Sequence, residues 1–455
     1  GSMTPALANY AGYYTQNTLG LNTQDMANNG WNNETSPSYS AGWIGCPVRV
    51  DDFTMVHKRK GFPCGKYQLS MDNWDDETRV YVNGTVVFYN SGWSGSNPTP
   101  TVVGTYALDS NSTIEVVTRE VGGYANVKLS LTAINATYNG TSWSTSPEGA
   151  SIVIDGDLQL NSNLNVCSCK VNPNKTLKVN PGVNLLVQNE VVVAPTANFI
   201  VENNASLIQV NDNASNSGKV TVRRNTTPVT RYDFTYWSSP VAAADWTLRD
   251  LSPNTLADKY LSYNAAGNGW VTEMNGAAAM QTGKGYIVRA PQQYSLTAPV
   301  IFETKFIGAP NNGVKKIDAK VGTTLKSNLI GNPYPSAISA DKFYEANKGT
   351  IKGTFYFWTH NIAVSSTPDA NGVYNYNPAS YISYNATGAT GNGDTSNCTT
   401  CGNNPSNKFK GNIASGQGFF VEAKNSGDIV FNNAMRVTEA TGNGQFYRSN
   451  PNAIQ

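Results

Sequence analysis

Apolar and polar residues alternate along most of this chain with a period of two, the pattern of strands that bury one face. Tyr67, Leu69 and Met71 alternate with Gln68 and Ser70. After Trp74-Asp75-Asp76-Glu77 the alternation resumes at Val80 and Val82. Asn83-Gly84 then marks a two-residue hairpin turn before Val86 to Tyr89. The pattern predicts strand, acidic turn, strand, tight turn, strand. Upstream, Val48, Val50 and Phe53 to Val56 predict a strand that ends in a basic turn, His57-Lys58-Arg59-Lys60. Residues 113–117 and 125–131 predict two more. Residues 4–145 read as one β-sandwich, with Tyr10, Tyr13, Tyr14, Trp31 and Trp43 capping its core.

Residues 146–225 carry an internal repeat. Cut from Thr176, they fall into seven-residue units, TLKVNPG, VNLLVQN, EVVVAPT, ANFIVEN and NASLIQV, with the best match at an offset of fourteen. Pro181, Gly182 and Pro195 exclude a continuous coiled coil. Short strands that end in turns and stack on one another predict a short β-solenoid spacer. Residues 226–425 read as a duplicated β domain, with copies at about 226–300 and 327–424. Tyr236-Trp237-Ser238-Ser239-Pro240 echoes Gly331-Asn332-Pro333-Tyr334-Pro335. Residues 260–265 match 381–386, and Gly283-Lys284-Gly285 matches Gly416-Gln417-Gly418. Each G-x-G precedes a strand and opens no helix, so it is not a dinucleotide fingerprint. Long helical periods are almost absent, and the fold class is all-β.

Composition narrows the class. In 455 residues, Lys+Arg number 32 and Asp+Glu 31, a balance that favours neither nucleic acid nor an anionic membrane as partner. Charged residues make up 14%, while Asn, Thr, Ser, Gly and Tyr fill the surface, as in extracellular β proteins. No apolar run reaches the roughly 18 residues of a membrane span. Gly1-Ser2-Met3 reads as an expression scar. Six cysteines fall into local pairs, Cys46 with Cys64, Cys167 with Cys169 and Cys398 with Cys401. Such pairs predict disulfides and an extracellular or outer-surface location, with zinc at Cys398-Thr-Thr-Cys401 as the rival. The two histidines, His57 and His360, stand in no ligand spacing, and neither G-x-S-x-G nor H-E-x-x-H occurs. Asp75, Asp76, Glu77 and Asp155 cannot be paired for glycoside hydrolysis from sequence. No enzyme is expected.

Two resemblances sharpen this reading. Gly65-Lys66-Tyr67, Asp75-Asp76 and Arg79-Val80-Tyr81-Val82-Asn83-Gly84 resemble the centre of the protective-antigen-like β-sandwich of toxins, glycosidases and yeast adhesins. In the adhesins the paired aspartates hold a calcium ion that binds sugar hydroxyls. Here Glu77 stands where Gly usually follows the pair. The resemblance implies Asp75 and Asp76 as calcium ligands. Asn73, Asn83 or the 91–100 loop would complete the shell, with Trp93 stacking on a sugar. The alternative is that both aspartates cap a turn through backbone N–H groups. Residues 236–241, 331–338 and 416–421 resemble the region before the sorting domain of Bacteroidota type IX secretion surface proteins. That implies an exported adhesin fragment with a stalk, in which residues 426–455 are a last strand and a polar tail. The competing readings are a structural stalk or filament segment and an accessory region of a secreted glycan-active hydrolase.

Overall fold

The computed structural model describes residues 2–23, 31, 34–267, 269–359, 381–386, 411–439 and 442–444. It is 47% strand and 8% helix. The chain divides into two compact units, Gly1–Ala136 with Thr145–Ser151, and Thr137–Ser144 with Ile152–Gln455. No described helix is long and apolar enough to cross a membrane.

In the first unit, short β1 (Gly12–Tyr13), β2 (Leu21–Asn22) and β3 (Ile44–Gly45) precede β4 (Thr54–Lys60), β5 (Gly65–Asp75) and β6 (Glu77–Val82). Then come β7 (Thr85–Asn90), β8 (Thr101–Leu108), β9 (Thr113–Arg119) and β10 (Asn126–Tyr138). Strands β10, β5 and β8 are neighbours in one antiparallel sheet, with β2 beside β10; the facing sheet runs β4-β9-β6-β7. Leu69, Met71 and Trp74 of β5 meet Val80, Ile114 and Val116 of the other sheet in a closed core. Burying such side chains stabilises by about 1.5–3 kcal/mol each. Two expectations need correction. The basic stretch 57–60 is no turn but the second half of β4, paired with β9. The acidic stretch is not a hairpin turn either, because β5 and β6 lie in different sheets and Asp75-Asp76 carries the chain across.

The second unit opens with a β-solenoid of about three turns over residues 151–222. Its strands are β11 (Ser151–Ile154), β12 (Leu158–Leu160), β13 (Leu164–Val166), β14 (Ser168–Val171) and β15 (Thr176–Val179). There follow β16 (Asn184–Val187), β17 (Val191–Val193), β18 (Asn198–Val201), β19 (Ser206–Gln209) and β20 (Val220–Val229). Leu164 stacks on Leu185 and Leu185 on Leu207, while Leu177 stacks on Phe199. One coil is therefore 21 or 22 residues, three of the seven-residue units. The fourteen-residue match compares strands on different faces, β16 with β18. It arose because every strand repeats the same inward pattern.

Beyond the solenoid lie β21 (Phe234–Trp237), α1 (Leu248–Leu251), β22 (Tyr260–Asn264), β23 (Gly269–Thr272), β24 (Tyr286–Arg289), β25 (Val300–Gly308) and β26 (Lys315–Ala319). Then come β27 (Ser327–Gly331), β28 (Ile338–Ser339), α2 (Ala340–Asn347), β29 (Ile351–Trp358), β30 (Tyr381–Asn385), β31 (Asn412–Ile413), β32 (Gly418–Ala423) and β33 (Gly427–Phe431). Two four-stranded sheets share one spatial pattern, β21-β24-β22-β23 and β27-β32-β29-β30. By position β22 corresponds to β29, so the matching segments 260–265 and 381–386 sit in different places, one internal and one at an edge. The sheets share an aromatic contact in which Tyr236 stacks on Trp358 at 5.9 Å and Phe420 meets Tyr263 edge-on at 5.1 Å.

The G-x-G turns are exchanged between the sheets. Gly331 N–H donates to the Gly283 carbonyl (2.9 Å) and Gly285 N–H to that of Leu329 (3.1 Å). Reciprocally, Ser238 N–H donates to the Gly416 carbonyl (2.8 Å). Gly283 and Gly416 have φ of 78° and 74°, a conformation that side chains disfavour. A Cβ on Gly285 would lie 2.7 Å from the Ile330 carbonyl oxygen, and one on Gly418 3.0 Å from that of Trp237.

The tail after β33 is less loose than expected where it is described. Arg436 is buried over the Tyr334 ring and donates to Ser336 Oγ (2.8 Å). Asn443 donates to the Ala205 carbonyl of the solenoid (2.6 Å). Asn332 donates to the carbonyls of Ser336, Ile413 and Ala414. The G-N-P-Y-P-S motif thus builds this junction.

Gly285→Ala and Gly418→Ala should each lower stability by about 1–3 kcal/mol, the usual cost of forcing atoms into closed space. Gly349→Ala, where nothing lies within 4 Å of the added carbon, should be near neutral. Chemical denaturation of the full chain checks this. Equal stability of all three variants would remove the close approach as the reason for these glycines.

Candidate functional site

A sandwich must pass its chain from sheet to sheet, and here two such crossings lie side by side. Asp75-Asp76 joins β5 to β6, and residues 120–125 join β9 to β10. Glu77 pairs with Arg119 across β6 and β9, and Asn126 with Asp75 across β10 and β5, so sheet register brings the crossings together. The Asp75-Asp76 peptide is cis. Asp76 Oδ2 accepts the Val121 N–H at 3.0 Å.

Acidic groups converge here. Glu120 is fully buried, and neither carboxylate oxygen has a hydrogen-bond partner among the described residues; Asn126 Oδ1 is likewise buried and unpartnered. The Gly122 amide leans toward Glu120 and offsets part of its burial cost without reaching bonding geometry. Desolvation, then the charges of Asp76 and Asp75, push Glu120 up to about 8. Desolvation, a hydrogen bond with Asp76 and its charge push Asp75 up to about 7. Both shifts favour the protonated acid. Among the described residues no three Asp, Glu, His or Cys side chains already form a metal cage. A calcium ion does not need one, since it accepts carboxylate, amide and backbone carbonyl oxygens together. Asp75, Asp76 and the orphaned Asn126 Oδ1 are such a mixed set, with Glu120 adding charge behind them.

The expected site residues separate. Trp93 is 58% exposed, on a loop tied to the strand end beside Asp75. Ser94 N–H donates to the Trp74 carbonyl (2.9 Å), Ser94 Oγ to Asn73 Oδ1 (3.0 Å) and Trp74 Nε1 to the Gly92 carbonyl (3.0 Å). Asn73 is occupied by that tie. Asn83 does not join the acidic pair. It turns the hairpin at the far end of β6, roughly 20 Å away at strand rise, and its Oδ1 accepts the Thr113 N–H (2.8 Å). Glu77 faces Arg119 (3.1 Å) and accepts from Tyr89 (3.0 Å), so it serves the sheet. Sequence reading missed Glu120, Asn126 and the 59%-exposed Tyr124. One signal was present. Ile114, Val116, Thr118 and Glu120 share the buried phase of β9, where a carboxylate is out of place.

The cysteine pairing also needs correction. Cys46 is free and exposed and Cys169 free and buried, whereas Cys64 is disulfide-bonded, as is Cys167. Cys167 sits at the bend between β13 and β14, and Cys169 enters β14 with its N–H donating to the Glu190 carbonyl (3.1 Å), so the two do not close on each other. Burial pushes the Cys169 thiol up to about 12. Cys398, Cys401 and His360 lie outside the described residues.

Asp75 and Glu120 bind protons more tightly folded than unfolded. Without calcium, the folded state therefore holds more protons between about pH 4 and pH 8. The stability these two groups contribute should be full below about pH 4 and lost as pH rises through about 8. Buried His57, lowered to about 4, works the other way up to its ordinary value of 6.5. Asp75→Asn with Glu120→Gln should flatten the slope. Melting temperatures from pH 4.5 to 8.5 in chelator check this; a wild-type profile as flat as the double variant's would contradict the raised values.

No curated protein matches the chain. A solved structure described as "PA14 sugar-binding domain from RTX adhesin" is similar over 23% of this chain, at 22% identity and a TM-score of 0.18. The chain spans 55% of that structure's length. A family model described as "Domain of unknown function (DUF8693)" matches residues 145–455, and the chain belongs to that family.

Proposed function

We propose that the first unit is a calcium-dependent carbohydrate-binding module of a secreted or cell-surface adhesin, carried on the second unit as a stalk. The carrying observation is the buried, unpartnered oxygens of Glu120 and Asn126 beside the Asp75–Asp76 pair. A carboxylate stripped of water and of partners is costly, and a divalent cation at the crossings relieves that cost. Asp75 and Asp76 hold the ion, with Asn126 Oδ1 as a neutral ligand. Trp93 and Tyr124, both exposed, offer apolar faces on the two flanking loops. Open coordination positions on the ion then take sugar hydroxyls. Disulfide-bonded Cys64 and Cys167 support an oxidising compartment.

Isothermal titration with calcium should give a dissociation constant of about 10⁻⁴–10⁻³ M, and Asp75→Asn with Asp76→Asn should abolish the heat. A glycan array should show binding in millimolar calcium and none in chelator. No calcium heat in the wild type would end the metal reading. Calcium-independent glycan binding would move the sugar site elsewhere.

A further inference from the structure

Resting on the calcium reading, we infer that Asp51 is a positioning residue of the ion site, acting through the 120–125 crossing. Three of the six amides of that crossing are held by the N-terminal segment. Glu120 N–H donates to the Phe53 carbonyl at 2.9 Å. Gly123 N–H donates to Asp51 Oδ1 at 3.2 Å. Ala125 N–H donates to the Trp31 carbonyl (2.9 Å), and Trp31 N–H returns a bond to that of Ala125 (3.2 Å). At the entry to β10, Val127 N–H donates to Thr23 Oγ1 at 2.9 Å. Val121 turns its amide onto Asp76.

The N-terminal segment thus holds positions 120, 123 and 125, while the amide of Val121 meets the aspartate pair. Trp31, Phe53 and Met55 anchor the clamp in a small core of their own. Trp31 sits there edge-on to Phe53 at 6.4 Å. Within the clamp Asp51 is the one side chain that is exposed, so its bond can be removed without opening a cavity. Its acceptor fixes Gly123, midway between Val121, which bonds Asp76, and Ala125, which precedes Asn126. Gly123 has φ of 100°, a conformation that its own sequence does not enforce and that a tether must select. Groups that orient metal ligands typically govern affinity by about 10–100-fold.

The test uses the full chain with Asp51→Ala and Asp51→Asn. Alanine removes the acceptor and the charge; asparagine removes the charge and keeps an acceptor oxygen. Asp51→Ala should weaken calcium at least tenfold with an unchanged melting temperature in chelator, and Asp51→Asn should stay within about threefold of wild type. Hydrogen exchange in chelator is the second readout: amides 121–125 should exchange faster in Asp51→Ala and not in Asp51→Asn. Asparagine as weak as alanine would make Asp51 a charge or a ligand, overturning the positioning role. Unchanged exchange in Asp51→Ala would overturn it as well. If the wild type binds no calcium, the proposed function falls, and exchange alone decides whether Asp51 holds the crossing.

Discussion

A carboxylate sealed from water with nothing to bond is among the most expensive groups a fold can contain. Glu120 is such a group, and much of the first unit is arranged around it. It follows the buried run of β9, lies within reach of the charges of Asp76 and Asp75, and opens a crossing of which three amides are tied to the N-terminal segment. A sandwich that needed only stability would place an apolar residue there. Strongly perturbed acids gather at functional sites more often than elsewhere.

The second unit also buries polar groups, many of them in dense local networks, and there too Asn184 Oδ1, Ser238 Oγ, Trp246 Nε1 and Asn432 Oδ1 are buried without a hydrogen bond among the described residues. Asn332 meets three carbonyls, and Arg436 is enclosed by Tyr334, Ser336 and Asn433. Burial alone lowers Arg436 to about 9, so even this site leaves it charged at neutral pH. Such networks fix one arrangement of chain. The exchanged G-x-G turns act likewise, since their bonds form only if each sheet reaches the other's first strand.

The architecture was legible where the cause is local. Alternation gave the strands, and Asn83-Gly84 gave the β6–β7 turn, with φ of 49° and 79°. Apolar units ending in Asn, Pro or Gly gave the solenoid. What failed was adjacency between distant segments. The solenoid's 22-residue coil was masked because its faces look alike. Local cysteine spacing misled because the chain at Cys46 and Cys169 follows backbone pairing, not sulfur. The basic stretch looked like a turn because β4 is an edge strand, where charge on the open side is expected.

The same limit explains why only half of the acidic site was readable. Asp75-Asp76 announces itself as a sequence neighbour pair, but Asn126 and Glu120 become its companions only through two sheet registers. Asp51 enters through a single hydrogen bond to a glycine amide 72 positions on. Asn83 was attractive for the converse reason. Seven residues separate it from Asp76, which in a turn would mean proximity and in a strand means distance. Whether an acid pair belongs to a site therefore depends less on its neighbours in sequence than on which backbone crossings the topology sets against it. In this unit the N-terminal segment contributes to that, because it holds three amides of the second crossing.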